Sequence, residues 1–295
     1  MANIRAIRAR IKSVESTRKI TKSMKMISAS KLKKAQQAMN SLRPYAENIR
    51  RMLSDVSAQA GGSSPLLAAR AAEKVCYVLI VGDRGLCGVY NTALLKHFTE
   101  LIAKEEREYT IVVCGRWGRD IIAATGLHVT RSVDTLSDPP TAEEAAALAD
   151  ELERLYLSGE TDEIVLVYES YASALRQEPC SVRLLPLDTE RREKDASDTI
   201  FEPERQSVID RLCELYMKNA VYSALLEAKT GEHSARMTAM TAASDNTEQL
   251  IAELRLKLNH ARQSAITTEI SEIVGGANAL ASNNEREAKR GKGRS

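Results

Sequence analysis

"NIRAIRARIKSVESTRKITKSMKMISASKLKKAQQAMNSLRPYAENIRRMLSDV", residues Asn3 to Val56, decides the fold. Stepping alternately by three and four gives Ile4, Ile7, Ile11, Val14, Arg18, Thr21, Lys25, Ser28, Leu32, Ala35, Met39, Leu42, Ala46, Ile49, Leu53 and Val56. That seam holds for roughly seven repeats without drift, which is the period of a left-handed coiled coil. Between Arg18 and Ser28 the seam turns polar, and Ile20, Met24 and Ile27 form a neighbouring stripe. Pro44 is expected to kink the helix without ending it, because the seam resumes in register beyond it. "AGGSSP", Ala60 to Pro65, breaks the helix.

Such a seam needs a partner, and a second helical region supplies one. It starts near Glu204 and meets no breaker before Gly275-Gly276, a lone interior Gly231 being tolerated. At the helical rise the two regions span about 84 Å and about 108 Å. Helices at opposite ends of the chain pair by running antiparallel. If their bases align, Ile4 lies opposite roughly residue 257 and the longer helix continues alone. The overhang carries its own stripe of Ile266, Ile270, Ile273, Ala277 and Leu280, a face that another protein must cover. The expected architecture is a shaft with a head at one end and an exposed tip at the other.

From Glu73 to Leu187 the period changes. Runs "VCYVLIV", "YTIVVCG", "LHVTRSV", "EIVLVYES" and "CSVRLLPL" alternate with amphipathic stretches such as Asn91 to Arg107 and Thr141 to Leu157. This is the rhythm of an α/β domain with a mostly parallel sheet. "DTERREKDASD", Asp188 to Asp198, reads as a charged connector. The expected fold class is α/β with long helices, in which an antiparallel coiled coil of the N- and C-terminal helices joins a central Rossmann-like domain. The expected parts are an N-terminal coiled-coil helix at 1–60, an α/β head at 73–190, a C-terminal coiled-coil helix at 204–283 and a basic tail at 284–295.

The 295 residues carry a net charge of only +2, but the charge is segregated. From Met1 to Lys34 eleven Lys or Arg face Glu15 alone, a pattern that speaks of partners. Aromatics make up 4%, too few for an ordinary globular core and consistent with long helices. Cys76, Cys87, Cys114, Cys180 and Cys213 are odd in number and lack CxxC spacing, which argues against a disulfide framework. No apolar run approaches the ~20 residues of a bilayer span, and no secretory signal follows the basic start. A soluble intracellular protein is expected.

"GDRGLCGVYN", Gly82 to Asn91, follows the first strand where a nucleotide enzyme holds phosphate. The dinucleotide fingerprint needs GxGxxG, yet the glycines stand at 82, 85 and 88, with Asp83 and Arg84 crowding the turn. The acid expected after the second strand is replaced by Arg116 and Trp117, and no GxxxxGK[ST] occurs. The loop reads instead as a tight strand-to-helix turn with Asn91 as a helix cap. His97, His128, His233 and His260 lie far apart, and Glu232-His233 lacks the second ligand of a zinc motif. No catalytic, cofactor-binding or metal-ligating residue is expected. A nucleic-acid-binding coiled coil is a rival, but its basic arm lacks interleaved aromatics.

Five longer stretches carry a resemblance. They are "RIKSVESTRKITKSMKMISASKLKKA" (Arg10 to Ala35), "DRGLCGVYN" (Asp83 to Asn91), "IFEPE" (Ile200 to Glu204), "YSALLEAKTGEHSARMTAMTAASDN" (Tyr222 to Asn246) and "KLNHARQSAITTEISEIVGGANAL" (Lys257 to Leu280). Together they resemble the gamma subunits of F-type ATP synthases, and the match covers nearly the whole chain. The resemblance implies a single, non-catalytic rotor subunit without cofactors, standing in a ring of alpha and beta subunits. It also implies contacts with epsilon and the c-ring, no nucleic acid, and a membrane reached only through the complex. The place it implies is the cytoplasmic face of a bacterial plasma membrane.

By the same resemblance Arg262 and Gln263 match a pair that engages the catch loop of an empty beta subunit. Arg236, Thr267 and Glu269 match positions of coupling or shaft assembly. Met24 and Lys25 match the region that faces an acidic lever of beta. The loop with Asp83, Arg84, Leu86 and Cys87 is expected to face epsilon or the c-ring. The chain departs from the family by adding "ASNNEREAKRGKGRS" after Leu280. It has no cysteine-pair insertion of the chloroplast kind, so thiol switching is not expected.

Overall fold

The computed structural model describes residues 2–60, 64–68, 70–134, 136–173, 176–187, 202 and 204–292, with side chains described within 4–56 and up to 277. Ten elements follow one another. They are α1 (Ala2–Ala60), β1 (Lys74–Ile80), α2 (Tyr90–Ile102), β2 (Glu108–Cys114), α3 (Arg116–Ala124), β3 (Arg131–Val133), α4 (Ala142–Leu157), β4 (Glu163–Tyr171), β5 (Gln177–Leu185) and α5 (Arg205–Lys292). The chain forms two compact units. One comprises 1–23 with 241–295, the other 24–240. The charged connector 188–198 lies outside the described residues.

In the larger unit a five-stranded sheet has the order β3-β2-β1-β4-β5. β1 pairs in parallel with β2 and β4, β2 pairs in parallel with β3, and β5 runs antiparallel to β4. The apolar run of β1 is buried on both faces, as a central parallel strand requires. Its alternate residues feed two cores. Cys76, Val78 and Ile80 meet Leu148 and Leu152 of α4, Leu53 and Val56 of α1, and Cys213 to Ala228 of α5. Val75, Tyr77 and Leu79 meet Leu94 and Phe98 of α2 and Ile122 of α3. The result is a Rossmann-like sandwich with helices on both faces. α4 begins with a capping box. Thr141 accepts from the Glu144 amide at 3.3 Å, and the Glu144 carboxylate accepts from the Thr141 amide at 2.9 Å.

Three boundaries differ from the sequence reading. β3 covers only Arg131–Val133, because the chain before it joins the sheet at a single point, the Thr130 amide on the Ile111 carbonyl. α2 ends at Ile102, short of Arg107, where Glu105 and Arg107 turn to pair with each other. α5 does not stop at Gly275-Gly276 but continues to Lys292, past the boundary set at 283. α1 likewise runs through Pro44.

Every seam position from Ile4 to Val56 is at least half-buried, whereas Ile20 and Ile27 of the neighbouring stripe are exposed. In the smaller unit the seam meets α5 antiparallel. Ser244 donates to the Thr21 hydroxyl at 2.9 Å, Arg18 lies 3.8 Å from Glu248, and Arg255 donates to Glu15 at 3.0 Å. On α5 the covered positions are Ile251, Leu254, Leu258, Ala261 and Ala265, again a step of three and four. Carried on from Glu15 and Arg255, this register sets Ile4 opposite roughly residue 266 rather than 257. The pairing is longer, and the overhang shorter, than alignment of the bases suggested.

Candidate functional site

In the larger unit the loop 82–89 leaves β1 and turns into α2. It is no free turn. The Gly82 amide donates to the Asn91 side-chain carbonyl at 3.2 Å, and the Asn91 amide donates to the Arg84 carbonyl at 3.3 Å. Asn91 is thus a pin for the loop and not the cap expected of it. Val89 occupies the cap position of α2 and no side chain caps it. A Cβ on Gly82 would lie 2.8 Å from the Asn91 oxygen, so the pin requires glycine there. Leu86 takes a positive φ of 63°, a conformation that side-chain-bearing residues avoid.

α5 supplies the floor. Lys229, Glu232, His233 and Arg236 share one face at helical spacing and are all buried. Lys229 donates to Asp83 at 2.6 Å and to Glu232 at 3.1 Å. Arg236 donates to Glu232 at 2.6 Å and reaches the backbone carbonyls of Arg84 at 3.1 Å and Gly85 at 3.4 Å. His233 bonds Asp138 at 2.6 Å, and Lys31 of α1 bonds the same carboxylate at 2.6 Å. Burial alone would raise the Asp138 carboxyl, but hydrogen bonds from His233 and Lys31 hold it well below the usual range. Burial pushes the Cys87 thiol up, away from the thiolate.

The chain's own side chains thus occupy the loop's inner polar groups. What the loop presents outward is Arg84, Leu86 at 63% exposure and Val89 at 77%. Asp83 is half-buried against Lys229. Cys87 and Arg236, in contrast, are buried. Beside the loop, a cleft of about 410 Å³ is lined by Met24, Ile27, Lys31, Arg84, Leu86 and Arg116 among others. Met24 is half-buried on its α1 side, and Lys25, also half-buried, does not line it. Among the described residues no cluster of His, Cys, Asp or Glu is placed to hold a metal, and no helix is long and apolar enough to cross a membrane.

In the smaller unit Arg262, Gln263, Thr267 and Glu269 are all exposed, and the Thr267 hydroxyl donates to the Gln263 carbonyl at 3.0 Å. Beyond Ala265 every described side chain of α5 is exposed, including Ile266, Ile270, Ile273 and Val274. Leu280 lies outside the described side chains. The residues brought together are thus two groups, the loop with Met24, and the stretch from Arg262 to Glu269, while Lys25 joins neither. Sequence reasoning missed Lys229, Glu232 and Asp138. The spacing of Lys229, Glu232 and Arg236 on one helix face was the available signal for the first two, and nothing local marks Asp138.

A family model described as ATP synthase matches residues 3–280. The ATP synthase gamma chain of Desulfitobacterium hafniense is 44% identical over 283 residues, covering 95% of this chain and 100% of that one. That of Pelotomaculum thermopropionicum is 42% identical over the same coverage. Among solved structures, a chain of the Euglena gracilis mitochondrial ATP synthase OSCP/F1/c-ring assembly aligns with a TM-score of 0.70 at 19% identity, covering 96% of each chain. A chain of the Tetrahymena thermophila mitochondrial ATP synthase central stalk and c-ring aligns at 0.61 and 24% identity, covering 76% of this chain and 99% of that one. At such identities the structures speak for the fold.

Proposed function

The chain belongs to the ATP synthase gamma chain family, and from that premise we propose how its two exposed groups serve a central-stalk rotor. It is a central-stalk subunit of F-type ATP synthase, coupling ion flow through the membrane ring to ATP synthesis or hydrolysis at the alpha/beta hexamer. In our reading it does no chemistry itself. One copy stands in the hexamer, grips epsilon and the c-ring, and lies at the cytoplasmic face of a bacterial plasma membrane.

The observation that carries this reading is the bare stretch of α5. Ile266, Ile270, Ile273 and Val274 are exposed on a helix that has left its partner behind. Exposed apolar residues at helical spacing favour burial against foreign protein. Two unlike helices have no three-fold symmetry, so they touch three chemically identical sites differently. Taking one site from mostly open to mostly closed requires about 5.5 kcal/mol of differential interaction. A few charge-assisted hydrogen bonds of ~1.5–3 kcal/mol each supply that. Arg262 and Gln263 are exposed donors in the right place, and Thr267 and Glu269 extend the same polar surface. Met24 and Leu86, rimmed by the cations Lys31, Arg84 and Arg116, form the second contact, suited to an acidic partner segment. Because coupling is reciprocal, rotation drives nucleotide release and hydrolysis drives rotation.

The test is the double variant Arg262→Ala with Gln263→Ala in the assembled complex. Turnover or torque falls while assembly is retained. Unchanged turnover removes these two residues from the mechanism.

A further inference from the structure

We propose that Glu232 is a positioning residue that locks the loop 82–89 into the shape in which it meets its partner. The inference rests on the reading of that loop as a partner contact and adds what keeps it stiff. Glu232 is buried, and both its oxygens are taken, one by Arg236 at 2.6 Å and the other by Lys229 at 3.1 Å. Each of these cations then holds a different part of the loop. Lys229 grips the Asp83 side chain at its start, while Arg236 grips the carbonyls of Arg84 and Gly85 at its crest. One carboxylate therefore fixes two cations, and the two cations fix three consecutive residues.

Removing that charge leaves two buried cations, of which Lys229 keeps Asp83 while Arg236 keeps only the loop carbonyls and the His233 ring, whose other nitrogen is held by Asp138. One cation must swing to water, and its grip on the loop goes with it. Asn91 still pins Gly82 and Arg84, but the crest beyond them, with Leu86 at a positive φ, has lost its hold. Its outward side chains, Leu86 and Val89, are then displayed by a mobile turn instead of a fixed one. A mobile turn absorbs displacement that a fixed one passes on, so the predicted consequence is loss of coupling more than loss of turnover.

The loop contains its own reporter. Cys87 is 2% exposed in the loop, and Cys213, in the core against α4, is fully buried. In the full chain, Glu232→Gln is expected to raise maleimide labelling of Cys87 by about tenfold or more while Cys213 stays protected, as local opening without global unfolding requires. Arg236→Lys, which keeps the charge but loses the forked reach to two carbonyls, is expected to do the same more weakly. In the complex reconstituted in vesicles, Glu232→Gln lowers ion pumping per ATP hydrolysed. Unchanged Cys87 labelling overturns the strut, and so does labelling of Cys87 and Cys213 that rises in parallel. Selective Cys87 labelling with intact pumping per ATP overturns the functional role through its premise, since the loop is then held by Glu232 but is no partner contact.

Discussion

Glu169 stands in β4 with its side chain buried, and burial pushes its pKa up from 4.5 to about 7. Glu227 on α5 is raised in the same direction, again by burial. The native state thus keeps a proton on Glu169 that the unfolded chain has lost, so stability falls as pH rises from 4.5 to about 7. Thermal unfolding of Glu169→Gln across that range is expected to be flatter than wild type, and an equal slope would remove Glu169 as its source. Gly115 gives a sharper case, since its φ is 115° and a Cβ would lie 2.2 Å from the Val81 carbonyl. Gly115→Ala should cost about 2–4 kcal/mol in the same measurement. At this scale the sequence was only half legible. The helical spacing of Lys229, Glu232 and Arg236 was plain, but that this face meets the loop carbonyls is a tertiary fact. Asn91 was misread for the same reason. An Asn at a strand-to-helix turn suits a cap, and only the fold reveals that its side chain turns back to Gly82 and Arg84.

Helix α1 was the most legible element, because a seam of period 3.5 specifies one face and the structure covers that face from Ile4 to Val56. The register with α5 was not legible. Neither helix's own pattern says where their ends meet, and the cross-pairs Thr21–Ser244 and Glu15–Arg255 supply it. These contacts are unequal. Ile251→Ala, at a buried seam position, should destabilise the coil by about 2 kcal/mol or more. Arg255→Ala, at an exposed ion pair, should cost only ~0.2–1 kcal/mol. Chemical denaturation of the full chain separates the two, and a larger effect from Arg255 would contradict the seam as the source of stability. The glycine pair misled in the opposite sense: an isolated breaker signal at Gly275-Gly276 was overridden by the helix on either side. Nothing lies within 4 Å of a Cβ at either position, so Gly276→Ala should raise helicity, by about 1 kcal/mol of helix propensity.

On the scale of the molecule, the two units carry different parts of the task. In the smaller one, polar and apolar side chains stand uncovered on α5, the surface proposed to meet other subunits. In the larger, a buried ionic floor stiffens a loop that points outward. The long motifs made the family readable from sequence, whereas inward and outward facing of individual motif residues was not, because a motif marks a position without its orientation. Arg236 and Cys87 are buried, whereas Arg262 and Gln263 stand on the surface. The measurement that bears most directly on a rotor is single-molecule observation of the complex, with the alpha/beta hexamer fixed and a bead attached to this chain through Val182→Cys on exposed β5. Addition of ATP should turn the bead in one direction with three-fold pauses. A bead that stays still while the same complexes hydrolyse ATP at their normal rate would contradict the account.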